Sequence, residues 1–299
     1  MIKKVLIIGS GSIQKTHLKV LRLINKNIII HTIPTRKNLK SELKTLKKFN
    51  PEYIVVCSPS SFHYRHFLFI EKNFQNKIVL IEKPLFIKFY SIDKNLNNKY
   101  FVGYNLRFHP VITYLKNFLK KKNILSINVI SHSFLPSWRK KNYKHSVSAK
   151  KKLGGGVLLE LSHELDFLKW LFKKIKILQV YNKQISKLKI NTDDILNLSG
   201  KVNNKSFFNL NINFFSRINC RKIKVDGNNF SIEGDLINNT IKIVIDDKED
   251  EKIFKNFDIK NTFRSLHLEL MSQKLKHSCT IFEGLELMKL IDKIKVKNI

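Results

Sequence analysis

Through the first third of the chain, apolar residues arrive in short bursts separated by stretches of helical spacing. Val5 to Ile8, Asn27 to Ile33, Tyr53 to Cys57, Ile78 to Ile81 and Tyr100 to Gly103 are too short for buried helices, so they read as strands. Between them, Ile13 to Leu23 sets Ile13, His17, Val20 and Leu21 on one face, a lysine-rich helix runs around Leu39 to Phe49, and another spans about Phe62 to Asn73. Strands alternating with helices in this way predict an α/β architecture, a Rossmann-type doubly wound parallel sheet over residues 1–105.

The pattern changes over residues 106–299. Ser126 to Phe134 reads as a strand and Val157 to Phe172 as one helix. From Ile175 to Ile245 come alternating or β-rich runs, among them Phe207 to Phe215 and Lys222 to Ile232, punctuated by Asn and Gly. They predict an α+β domain built on a mostly antiparallel sheet. Thr262 to Lys276 and Phe282 to Ile294 return to helical spacing, as helices that pack back toward the first domain.

Composition narrows the function classes. The chain has 299 residues, 43% of them apolar, enough for a sizeable core, and a formal charge of +33. Such a charge is the electrostatic footprint of a nucleic-acid or anionic-surface binder. Here the excess is mostly lysine spread along the whole length, together with abundant Asn and Ile, as an AT-rich genome writes into any protein. The densest basic runs, Lys120 to Lys122 and Lys150 to Lys152, are short and carry no interleaved aromatics, so no specific nucleic-acid partner is expected. Attraction of anionic small molecules is the safer inference. Cys57, Cys220 and Cys279 are too few and too scattered for a disulfide framework or a zinc site, which points to a cytoplasmic setting and no metal. The basic and apolar start imitates a signal peptide, but its apolar stretch stops at Gly9, and no run nears the roughly 18 apolar residues of a spanning helix.

Only ten glycines occur, and six of them sit in three places: Gly9 with Gly11, Gly103, and Gly154 to Gly156. Gly9-Ser10-Gly11-Ser12-Ile13-Gln14, after the first strand, is a G-x-G-x-x-G turn with Gln in the third position, suited to placing a pyrophosphate on a helix N-terminus. No acid follows the second strand; the chain there reads His31-Thr32-Ile33-Pro34-Thr35-Arg36, which leans toward a ribose 2′-phosphate and NADP. Lys83, in Glu82-Lys83-Pro84, falls at the carboxyl end of a buried strand, where ligands of open α/β sheets bind. In Gly154 to Asp166, three glycines opening a helix offer free amides near a ligand. Glu160, His163 and Asp166 follow at intervals of three on one face, a row suited to acid–base work.

Taken in order, these motifs resemble the Gfo/Idh/MocA family, the glucose-fructose oxidoreductase and inositol dehydrogenase type. The similarity rests on the glycine turn with His17, Cys57-Ser58-Pro59-Ser60 with His63, Glu82-Lys83-Pro84, the run Gly103 to Pro110, and the glycine-rich helix ending in Trp170-Leu171. It implies a Rossmann domain followed by a domain with an open-faced sheet, an NAD(P) cofactor, a sugar-like substrate, which the charge of the chain would favour in anionic form, and a homo-oligomer formed through the exposed sheet. Lys83 matches the family's active-site lysine and His163 its acid–base residue. Cofactor contacts are then expected at Gly9, Gly11, Ser12, Ile13, Arg36, Ser58, Pro59, His63, Glu82, Lys83 and Asn105, and substrate contacts at Tyr104, Arg107, Glu160 and His163. Two departures stand out: Gln14 replaces the third glycine, and the carboxylate of Glu160 lies three residues before the His, where the family commonly has Asp four before it. The expected activity is hydride transfer between nicotinamide and a secondary alcohol or ketone of a sugar, nucleotide-sugar or polyol. The alternative is a catalytically silent dinucleotide-binding sensor or scaffold.

Overall fold

The computed structural model describes residues 2–139 and 142–297. It divides into two compact units, Met1–Phe108 with Asp258–Lys289 and His109–Phe257 with Leu290–Ile299. Along the chain, β1 (Lys4–Ile8), α1 (Ser12–Ile24), β2 (Ile29–Ile33), α2 (Leu43–Phe49), β3 (Tyr53–Val56), α3 (His63–Asn73), β4 (Ile78–Ile81) and β5 (Lys99–Val102) come first. Next are α4 (Pro110–Phe118), β6 (Ile124–Phe134), α5 (Val157–Glu160) and α6 (His163–Phe172). Strands β7 (Ile175–Lys183), β8 (Ile195–Val202), β9 (Ser206–Asn213), β10 (Phe215–Gly227), β11 (Phe230–Asp235), β12 (Thr240–Ile245) and β13 (Lys248–Ile253) follow. The chain ends in α7 (Lys260–Ser272), β14 (Cys279–Thr280) and α8 (Ile281–Lys297).

In the first unit, β5, β4, β3, β1 and β2 lie side by side in that order, all parallel, with the short β14 antiparallel on the β5 edge. Every residue of β3 and β4 is buried, and so are Val5 to Ile8 of β1. Burial on both faces is why these strands read as unbroken apolar runs. The core joins Val5, Ile7, Leu21, Tyr53, Val55 and Leu80 to Leu266 and Leu270 of α7, more than 180 residues further along the chain. The strand order turns back between β1 and β3, so the carboxyl ends of these two strands flank the position where doubly wound sheets bind ligands.

The second unit is an eight-stranded sheet in the order β13, β12, β11, β10, β6, β9, β8, β7. Its pairs are antiparallel except β6 with β9, so the expected α/β plus antiparallel α+β fold is the one observed. One face is open and polar: Asn209 donates to Asn128, and His132 bonds Asn211, which bonds Asn197 in turn. Ile130, Tyr181 and Phe207 are exposed among them.

One local expectation is corrected, and the β-rich runs resolve into separate strands. Lys222 to Ile232 is not one strand but the end of β10, a turn and the start of β11, and Phe207 to Phe215 is divided at Phe214. Strand β13, Lys-Glu-Asp-Glu-Lys-Ile, carries no apolar alternation; all six residues are exposed on the sheet edge, where charge blocks further pairing. The segment Val157 to Phe172 is two helices, broken at Leu161 and Ser162.

Candidate active site

The turn from β1 into α1 leaves no room for side chains on one side and open space on the other. At Gly9, with φ +149°, a Cβ would fall 2.6 Å from the Cys57 carbonyl oxygen, so only glycine lets β1 pass so close to the end of β3. Its amide donates to the Ile33 carbonyl at 2.9 Å, tying the turn to β2. Gly11 is the N-cap of α1; no side chain caps that end, and a Cβ there would meet nothing within 4 Å. The first-turn amides, including those of Ser12 and Ile13, lie with the positive end of the helix dipole, the arrangement an anion can use. Gln14 is partly buried, and His17, Val20 and Leu21 still seat the helix. Beyond β2, Arg36 is exposed in the segment Pro34-Thr35-Arg36, which holds no acid.

The next strand ends are stitched together by one imidazole. His63 is buried; its Nε2 lies 2.8 Å from the Ser58 carbonyl oxygen, and its Nδ1 lies 3.0 and 3.1 Å from those of Pro84 and Leu85. The ring thereby lies between the turn at Ser58-Pro59 after β3 and the segment after β4, with its N–H serving one side. Burial pushes the His63 pKa down, against the pull of the three carbonyls. Behind it, the Ser58 hydroxyl meets His66 Nδ1 at 3.0 Å, and burial, with the charges of His63 and Arg65, pushes His66 down to about 4.

Glu82 follows β4 directly and is buried. Its Oε1 accepts from His17 Nε2 at 2.9 Å and its Oε2 from the backbone N–H of Lys83 at 3.3 Å. Lys83 is partly exposed, and the Lys83–Pro84 peptide bond is cis. Behind His17 stand His267 of α7, at 2.9 Å from Nδ1, and then Tyr53, whose hydroxyl lies 2.8 Å from the His267 ring.

After β5, Tyr104, Asn105 and Arg107 are all buried. Asn105 Nδ2 donates to the Thr262 hydroxyl at 2.6 Å, and Arg107 donates to Glu283 at 2.9 Å. Burial alone would raise the Glu283 carboxyl, but Arg107 and the Thr280 amide hold it below its ordinary value. Arg107, expected at an anionic substrate group, therefore has a carboxylate of its own chain. Thr262, Glu283 and His267 escaped sequence reasoning because they lie 157, 176 and 250 residues from their partners in no recognisable pattern.

In the second unit the glycine-rich turn is closed. The amides of Gly154, Gly155 and Gly156 donate to the carbonyls of Lys151, Lys150 and Ser148, and the next two, of Val157 and Leu158, donate to the Asp193 carbonyl and carboxylate. The free amides expected there are thus bonded within the chain; Asp193 packs where a Gly156 side chain would stand and caps α5 itself. The break at Leu161 and Ser162 puts Glu160 at the end of α5 and His163 at the start of α6, so the three-residue row on a single helix is not formed. Asp166 is buried, and the fully buried carboxylate of this segment is Glu164, which accepts from Arg221 Nε at 2.7 Å. The apolar spacing around Glu164 contains the signal that this position faces inward, but its charge masked it.

Among the described residues, no group of three or more His, Cys, Asp or Glu is placed to hold a metal ion, and no helix is long and apolar enough to cross a membrane. No family model and no curated protein sequence matches the chain. Solved structures do. A levoglucosan dehydrogenase in complex with NADH superposes with a TM-score of 0.80 at 15% identity, covering 99% of this chain and 96% of that one. The WlbA dehydrogenase from Bordetella pertussis, in complex with NADH and UDP-GlcNAcA, gives 0.76 at 15% identity over the same shares, 99% and 96%. A super-repressor mutant of Gal80p from Saccharomyces cerevisiae gives 0.78 at 13% identity, over 100% of this chain and 96% of its own. The chain has the fold of these proteins, the fold that the Gfo/Idh/MocA resemblance implied.

Proposed function

We propose that the chain is a Gfo/Idh/MocA-type oxidoreductase. It moves a hydride between a nicotinamide cofactor and a secondary alcohol or ketone of a sugar, nucleotide-sugar or related polyol. The observation that carries this is the uncapped N-terminus of α1, with open space over Gly11, at the switch point of a parallel sheet. Of the two glycine-rich helix starts, it alone leaves its first-turn amides uncapped for an anion, as a dinucleotide pyrophosphate requires. NAD(P), when bound, supplies the hydride chemistry; this chain's residues hold and orient. Gly9, Gly11, Ser12 and Ile13 take the pyrophosphate, and Ser58, Pro59, His63, Glu82 and Asn105 shape the rest of the cofactor site. Arg36, exposed and without a competing acid in its segment, favours NADP.

Lys83 orients the reacting oxygen and stabilises negative charge developing on it, where a fixed cation acts more strongly than in water. His163 takes the hydroxyl proton in oxidation and returns it in reduction. Tyr104, Arg107 and Glu160 position the substrate, the Arg107 charge being shared with Glu283. The setting we infer is cytoplasmic, and the open polar face of the large sheet is the surface through which a homo-oligomer forms.

Both dehydrogenases cited above are described with NADH, and the WlbA dehydrogenase with UDP-GlcNAcA as well, which supports this reading. A thermal-shift titration with NAD(H) and NADP(H), using polyphosphate as a control for bare charge, tests it. Saturable stabilisation by a dinucleotide and little by polyphosphate is expected; stabilisation by polyphosphate alone would overturn it. A silent dinucleotide-binding sensor is the second reading, favoured by the break between Glu160 and His163 and by the likeness to Gal80p. Cofactor binding without hydride transfer across a broad sugar panel would select it.

A further inference from the structure

Behind Lys83 lies a line of four buried side chains, three of which the proposed chemistry does not use. Tyr53, His17 and His267 have no exposed surface, and Glu82 is 7% exposed. The line runs from the Tyr53 hydroxyl to His267 Nδ1 at 2.8 Å, from His267 Nε2 to His17 Nδ1 at 2.9 Å, and from His17 Nε2 to Glu82 Oε1 at 2.9 Å. Glu82 Oε2 then receives the backbone N–H of Lys83. The four come from β3, α7, α1 and the end of β4, so two helices and two strands meet in one hydrogen-bonded row.

The direction of every proton in the row follows from its two ends. Glu82 offers acceptor oxygens, so His17 donates through Nε2 and presents a lone pair at Nδ1. His267 must then donate through Nε2 and present its own lone pair at Nδ1. That lone pair accepts a hydrogen bond from the Tyr53 hydroxyl. If instead His17 carried two protons, His267 would donate to the Tyr53 oxygen, and the phenolic proton would be left in a fully buried place with no acceptor, at a cost of about 1–3 kcal/mol. Burial drives His267 well below the ordinary imidazole range and Tyr53 well above the ordinary phenol range, with His17 and Glu82 adding in the same directions, so both stay neutral.

We propose that Tyr53 and His267 are positioning residues for Lys83, acting through His17 and Glu82 as a one-way row of hydrogen bonds that fixes the carboxylate against the Lys83 backbone. That Lys83 matters to a reaction rests on the oxidoreductase reading; the row itself does not. Glu82 is held from three directions: by His17, by the Lys83 amide and by the bare Cα of Gly103, where a Cβ would stand 2.7 Å from Oε1. Losing the Tyr53 donor leaves a buried lone pair bare on His267 Nδ1, and losing the His267 ring leaves one bare on His17 Nδ1. The His17 ring that holds Glu82 is then freed to shift toward another donor, and the carboxylate loosens from the place where it holds the amide.

Two readouts that need no substrate test this. The first is side-chain 15N NMR of histidine-labelled protein; His17 and His267 are each expected neutral and protonated at Nε2. The second is trace acetylation of Lys83 by acetic anhydride, measured by mass spectrometry against exposed lysines of the same sample. Tyr53→Phe and His267→Leu should change the Lys83 rate by roughly threefold or more. His267→Gln, which can still accept from Tyr53 and donate to His17, should restore it. A His17 protonated at Nδ1 in the unsubstituted protein would overturn the proposal even if the variants fail to fold. So would an unchanged Lys83 rate in folded Tyr53→Phe and His267→Leu. Should Lys83→Ala leave hydride transfer intact while these signatures hold, the oxidoreductase roles fail and the row stands.

Discussion

A Cβ on Gly103 would stand 2.7 Å from Oε1 of Glu82, so the residue after β5 must be glycine for the carboxylate after β4 to occupy its place. The Gly103 amide also bonds the Ile81 carbonyl at 2.8 Å, which fixes the approach. Gly103→Ala should therefore cost about 1–3 kcal/mol through overpacking, read as a lower urea midpoint at constant slope. Gly11→Ala is the contrast: its Cβ meets nothing, so stability should stay within about 0.5 kcal/mol while stabilisation by a dinucleotide falls. Equal loss of stability in both would show that the space over Gly11 is not open.

Lys83→Ala should lower kcat by about a hundredfold, the typical loss when one fixed charge or donor is removed from a developing oxyanion. His163→Ala should lower it by about 10²–10⁴, the range for a positioned acid–base group. Dinucleotide affinity should change little in either. Near-normal turnover in both variants would remove the two residues from the chemistry.

Arg36 is exposed at the end of the segment that follows β2, where no acid competes with it. If it receives a ribose 2′-phosphate, Arg36→Ala should weaken NADPH by about tenfold, or 1.4 kcal/mol, and leave NADH unchanged in fluorescence titrations. Equal effects on the two cofactors would reduce Arg36 to bulk charge.

Acid should unfold the protein through histidines that are buried neutral. Burial brings both His66 and His109 down to about 4, with neighbouring positive charges, Arg221 in the case of His109, adding to it. Their folded values lie below the unfolded value of about 6.5, so between those limits the unfolded chain binds more protons. Stability is then full above about pH 6.5 and declines toward pH 4, each histidine contributing at most about 3 kcal/mol of the loss. Urea melts at pH 7, 5.5 and 4.5 measure it. His66→Gln should flatten the profile, and a slope unchanged by that substitution would mean His66 is not responsible.

Glu164 is fully buried with Oε1 at 2.7 Å from Arg221 Nε, next to His163 in the chain. Removing one partner strands the other: Arg221→Met should cost about 3 kcal/mol, and adding Glu164→Leu should recover most of it. A double-mutant cycle in urea gives the coupling, and strict additivity would show the pair contributes nothing.

Most of the architecture was legible in the sequence because burial on both faces leaves a mark on every residue of a strand. Tyr53 to Val56 and Ile78 to Ile81 were recognisable for that reason, and the Gly9 and Gly11 turn and the position of Lys83 after β4 followed from them. Edge strand β13 was not, since an exposed strand is under no demand for alternation. Tertiary structure alone decided who meets whom across long separations: His17 with His267, Asn105 with Thr262, Arg107 with Glu283. Polar pairs of this kind have no period in the chain, and their partners are set by how α7 and β14 dock on the first sheet. It also decided which glycine turn stays open. Local sequence made the starts of α1 and α5 look alike, and only Asp193, brought in from 35 residues away to bond Leu158, closed the second.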